Sequence, residues 1–140
     1  MTERSGFEEL QHTADWAVRV WADEIPELFV ESARAMYSLS GAKRAAGQRQ
    51  IKMANGWGPD LESLLVAFLS ELIFYAETES LSFPTIVFRL KPEGGGHRYE
   101  ARLEGWPAVW MNKPIKAVTY HNLRLRRTER GHEVEIVFDV

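Results

Sequence analysis

The chain has 140 residues, 45% hydrophobic and 26% charged, enough for one domain with its own core and no need of metal or disulfide staples. Its 17 Lys and Arg stand against 20 Asp and Glu, a net charge of -3, which argues against tight nucleic-acid binding by the domain as a whole because phosphate backbones are held by clustered cations. Cysteine is absent, which excludes disulfides, thiolate metal sites and thiol nucleophiles, and with no apolar leader and no run of ~20 apolar residues the chain is expected in the cytoplasm, off the membrane.

Residues 12–22 alternate. Trp16, Val18 and Val20 fall on one side, and Asp15, Arg19 and Trp21 on the other, the period of two of a half-buried strand. The period changes over 25–39, where Leu28, Ser32, Ala35 and Leu39, flanked by Phe29, Ala33 and Met36, form a helical stripe. Pro26 fits the first turn of that helix, where its missing N–H costs nothing. Residues 41–47 predict a loop, 48–55 a short strand and 56–59 a break. The strongest helical signal covers 60–78. Leu61, Leu65, Phe68, Leu72 and Ala76 recur at spacings of four and three, widened by Leu64, Leu69, Ile73 and Tyr75. Asp60 stands before them as an N-cap, since its carboxylate can accept from first-turn N–H groups. Beyond it the pattern predicts strands at 85–90 and 97–104 around a KPEGGG turn, then an irregular connection at 105–114. Strands at 115–127 and 132–140 around a TERG turn complete a second hairpin. This order predicts one α+β domain over residues 1–140, a mostly antiparallel sheet covered by two helices.

Three aspartates stand at telling places. Asp15 is on the polar side of the first strand, Asp60 starts the second helix, and Asp139 precedes Val140, whose terminal carboxylate an ordered last strand would hold in place. In that strand Val134, Ile136, Phe138 and Val140 alternate with Glu133, Glu135, Val137 and Asp139. Carboxylate oxygens of this kind suit Ca²⁺, Mg²⁺ or Mn²⁺ rather than Zn²⁺. The plainer reading leaves Asp15 and Asp139 solvated and Asp60 a cap only, and spacing alone does not bring the three together.

His12, His97, His121 and His132 include no HxxxH or HExxH pair, so none has metal-ligand spacing. His121 shares a strand face with Ile115, Ala117 and Thr119, and its near-neutral titration makes it a secondary site candidate. The GGG at 94–96 lacks the P-loop pattern and precedes a strand, so it reads as a flexible hairpin. No GxSxG hydrolase signature occurs. Arg124, Arg126, Arg127 and Arg130 form the basic cluster, which suits RNA phosphates, an acidic partner or simple solvation. Trp57, Trp106 and Trp110 fall in expected loops or connections.

Taken together, these pieces resemble archease. The resemblance rests on HTAD at 12–15, ELFVESA at 27–33, DLESLLVAFLSEL at 60–72, KAVTYH at 116–121 and FDV at 138–140. Each is weak alone; in this order along nearly the whole chain they are specific. The resemblance implies an accessory protein rather than an enzyme. It would promote guanylylation of the active-site histidine of an RtcB-type tRNA-splicing ligase and so allow multiple turnover in tRNA splicing or RNA repair, touching tRNA or other RNA only indirectly. It also implies a divalent cation, Ca²⁺, Mg²⁺ or Mn²⁺, held by Asp15, Asp60, Asp139 and the terminal carboxylate of Val140. Lys116 and Asp139 would serve ligase activation, with His12 and His121 as further candidates. Ala67 and Phe68 depart from the family's usual helix motif, without touching these residues. Under strict alternation Lys116 and His121 face opposite sides of their strand unless a bulge intervenes. Two other readings stand beside this one: a divalent-metal-dependent phosphohydrolase using Asp15, Asp139 and a water with His121 as acid or base, and a small RNA-binding module using the arginine cluster.

Overall fold

Nine strands and two helices make up residues 4–10 and 16–140, the residues that this computed structural model describes. His12 and Asp15 lie outside the described residues. The first sheet joins β1 (Ser5–Leu10), β2 (Trp16–Ala22), β9 (Gly131–Asp139) and β7 (Ala117–Val118) in that order, with β8 (Arg126–Thr128) also pairing β9. In the second, β6 (Gly96–Trp110) runs between β4 (Gln50–Gly58) and β5 (Leu81–Glu93), and its far end pairs with β3 (Ala42–Arg44). Every pairing is antiparallel, as the α+β reading expects, although the strands divide between two sheets instead of one.

Helix α1 (Ile25–Ser40) has Pro in its first turn and stops at Gly41, whose φ of 69° is a left-handed conformation that costs glycine little. Helix α2 (Leu61–Glu79) starts where the Asp60 carboxylate accepts the Ser63 N–H at 2.7 Å. α1 packs on β1 and β2 of the first sheet and on β5 of the second, and α2 packs on β4, β5, β6 and β7. The apolar side of the first sheet is mostly aliphatic: Val18, Val20, Ala22, Val134 and Ile136 are buried, with Phe138 beside them. The second sheet joins the helices through rings. Phe68 lies 5.0 Å from Phe88 and 5.3 Å from Tyr99, edge-on to both, and Phe29 lies 4.8 Å from Phe88.

Several strands differ from the sequence expectation. β1 and β3 occupy stretches with no strand signal. The expected irregular connection at 105–114 is mostly β6, because long-range partners override its Gly and Pro: Pro107, which has no N–H to donate, still accepts at its carbonyl from the Ala45 N–H at 2.8 Å. Opposite a register shift between Ser82 and Thr85, Gly105 is required, since a Cβ there would overlap the Ser82 carbonyl. Trp57, Trp106 and Trp110 therefore sit in strands, where Trp57 donates to the Glu93 carbonyl at 2.7 Å, Trp106 lies under Arg44 and Trp110 stacks with Tyr37. The expected strand over 115–127 breaks into β7 and β8 around a turn at Asn122, whose φ is 54°.

Candidate functional site

The end of β9 lies between β2 and β7. Phe138 pairs with Trp16 on one flank and Val118 on the other, and Asp139 pairs with Ala117. The Lys116 N–H donates to the Asp139 carbonyl at 2.8 Å. Thr119 grips the same strand twice, its N–H and its hydroxyl donating to the Val137 carbonyl at 2.9 and 3.0 Å. These bonds fix residues 116–119 against 137–139. Alternation buries Phe138 and turns the Asp139 side chain to solvent, while Val140 packs partly against the core. Lys116 and Asp139, 23 residues apart in sequence, are thus backbone neighbours.

Asp60 is an exposed cap. The Ser63 N–H, before the Ser63 hydroxyl and the charge of nearby His97, holds its carboxyl below the usual carboxylate range. Its Oδ1 takes the Ser63 N–H. Its polar contacts among the described residues do not include Asp139, Val140 or Lys116. Two residues on, the Glu62 Oε2 accepts the Leu125 N–H at 3.1 Å, tying the first turn of α2 to the segment before β8. Sequence reasoning missed Glu62, for an acidic residue in a helix's first turn ordinarily serves the helix dipole alone.

His121 is exposed in the turn, its N–H donating to the Thr119 hydroxyl at 3.3 Å and its ring 3.4 Å from the Asn122 amide. With the strand broken there, strict alternation no longer sets its side relative to Lys116. His132 lies 3.3 Å from Arg127. Glu71, at the edge of the α2 stripe, helps burial push the Tyr99 hydroxyl up to about 12. Among the described residues, no three His, Asp or Glu side chains gather closely enough to hold a metal ion, and no helix is long and apolar enough to cross a membrane.

The architecture defines a small α+β domain in which a central C-terminal strand presents an aspartate beside a lysine-bearing segment. A family profile described as the Archease protein family (MTH1598/TM1083) matches residues 7–140. Protein archease of Methanopyrus kandleri is 32% identical over 138 residues, covering 96% of this chain and 99% of the relative. Protein archease of Methanosarcina mazei is 32% identical over 142 residues, covering 96% and 95%. The solution structure of Methanobacterium thermoautotrophicum protein 1598 superposes with a TM-score of 0.67 at 20% identity, covering 96% of this chain and 99% of that one. A Thermotoga maritima crystal structure described as an archease and possible chaperone gives 0.62 at 22% identity, covering 95% and 96%. The chain belongs to the archease family.

Proposed function

We propose that this archease-family protein activates an RtcB-type RNA ligase in tRNA splicing or RNA repair. In this reading it promotes guanylylation of the ligase and repeated turnover, and a divalent cation at Asp139 takes part. The observation that carries it is the fixed end of β9. An exposed aspartate stands on backbone held from both flanks, with Lys116 bonded beside it. In sequence, Asp15 immediately precedes Trp16 and Asp139 immediately follows Phe138, the residues of one antiparallel pair of the ladder.

The donor set is oxygen only, which fits a hard cation such as Ca²⁺, Mg²⁺ or Mn²⁺. Asp15, Asp139 and Val140 would hold it, with Asp60 as the outlying member, its Oδ1 already engaged by the Ser63 N–H. Such a cation supplies charge stabilisation for phosphoryl transfer. Lys116 adds a positive charge beside Asp139, His12 and His121 are secondary groups, and the ligase provides the histidine nucleophile. The test is ligation with RNA substrate in excess over ligase. Asp139→Ala should abolish stimulation of multiple turnover, and Asp139→Asn should weaken cation binding measured by calorimetry. Undiminished stimulation by Asp139→Ala sinks the proposal.

A further inference from the structure

We infer that the polar groove beside the turn between β7 and β8 binds single-stranded RNA directly, holding phosphates with Arg124 and Arg126 and stacking a base on Tyr120. This goes beyond the ligase reading, which gives the protein only indirect contact with RNA, and it does not depend on a cation.

The groove has a volume of about 440 Å³ and is lined by Tyr120, Asn122, Leu123, Arg124, Arg126 and Glu135. Its arginines are placed by alternation: Leu123 and Leu125 pack against the core, so Arg124 and Arg126 turn outward together. The segment is anchored. Leu125 is held by Glu62 at 3.1 Å, the turn is closed by the Leu123 N–H on the Tyr120 carbonyl at 3.1 Å, and β8 pairs Arg126 with Glu133. Arginines elsewhere mostly have a carboxylate: Arg4, Arg19, Arg34, Arg49, Arg98, Arg102 and Arg130 each form an ion pair. Among the described residues Arg124 and Arg126 form none within 4.0 Å, and the Glu133 opposite Arg126 is taken by Arg130 at 2.9 Å.

Two uncommitted guanidiniums on a fixed backbone match phosphate oxygens, which take charge-assisted hydrogen bonds from arginine's planar fork. Tyr120, 61% exposed at the lip of the groove, supplies the π-face on which any base can stack. An acidic peptide would use the arginines and leave the ring idle; a single RNA strand uses both. Glu135 works against phosphate, so the groove carries two positive charges against one negative. That makes Glu135 a residue whose neutralisation should improve binding.

The experiment is fluorescence anisotropy of a labelled oligo-uridylate with the purified full chain, in EDTA and without ligase. Binding should weaken as salt rises. The double variant Arg124→Gln/Arg126→Gln should weaken it at least tenfold and flatten the log–log salt slope by about 1.4, since each single-strand phosphate contact contributes roughly 0.7. Tyr120→Ala should weaken it about tenfold while Tyr120→Phe does not, because stacking needs the ring and not the hydroxyl. Glu135→Gln should tighten it, an outcome that a merely structural role for the segment would not give. Absence of RNA binding at the lowest salt by the folded protein overturns the inference. So does binding indifferent to the arginine pair, or equal binding of polyglutamate. Because ligase and metal are both excluded, failure here leaves the ligase proposal standing, and failure of the Asp139 test leaves this one standing.

Discussion

On the second sheet, most of the charges along β5 and β6 are matched, Arg98 with Glu93, Arg49 and Arg102 with Glu104, and Lys91 with Glu100, while Arg89 and, on β3, Lys43 and Arg44 stand outside these pairs. Among the described residues at the edge of the first sheet, Arg124, Arg126 and Lys116 meet no carboxylate and Asp139 meets no cation within ion-pair distance. The inner sides contrast too. The second sheet joins both helices through Phe29, Phe68, Phe88 and Tyr99, while the first is faced mostly with aliphatic residues around Phe138. Charge that is satisfied at home is unavailable to a ligand. The second sheet therefore reads as scaffold, and the β7–β8–β9 region of the first as the working surface.

This contrast is open to breakage at several points. The largest effect should come from the scaffold's centre. Phe68→Ala removes the ring shared by Phe29, Phe88 and Tyr99 and should cost about 4 kcal/mol in denaturant unfolding, as large-to-small core changes do. A loss under about 1 kcal/mol would mean that the aromatic cluster does not hold the helices. Next comes the strut between the regions. Glu62→Ala strands the part-buried Leu125 N–H, should cost about 2 kcal/mol and should loosen the arginine segment, lowering RNA affinity without removing any cation.

Asp60→Ala should cost about 1 kcal/mol through the lost cap. The pH sense follows from the folded carboxyl lying below its ordinary value. The cap's stabilisation is full above the ordinary carboxylate range and is lost as pH falls through the folded value, so thermal melts of Asp60→Asn should lose that part of the acid sensitivity while keeping most of the cap. Arg102→Gln sits at the small end. It removes one exposed ion pair, should shift stability by about 0.5 kcal/mol or less and should leave RNA binding unchanged. An effect on RNA there equal to that of the Arg124/Arg126 pair would erase the distinction between the two surfaces.

The parts of this fold that were legible in the sequence are those whose signals are local. α2 announces itself by the Leu61–Leu65–Phe68–Leu72 stripe and the Asp60 cap, and both match the structure. The alternation of β9 correctly separates buried Phe138 from exposed Asp139. What escaped depends on partners far along the chain. Gly105 and Pro107 look like breakers, but pairing with β5 and β3 keeps β6 extended. The apolar alternation at 115–127 looks continuous, yet the left-handed Asn122 breaks it, and the alternation of Leu123 and Leu125 survives the break. The adjacency of Lys116 and Asp139 had no signal in spacing; only the family resemblance named both. The arginine cluster was visible, but which of its members keep a carboxylate partner depends on Glu133 across the ladder, which Arg130 takes.

The position of β9 inside the first sheet has a further consequence. Its ladder with β2 joins residues never closer in sequence than Ala22 and His132. A ribosome reading this message completes α1, α2 and the whole second sheet before the strand that fills the middle of the first is made. Until then the β1–β2 hairpin holds Val18 and Val20 beside an open edge, the kind of nascent surface that invites misassembly. Truncations ending before residue 131 should therefore aggregate even though they retain every helix.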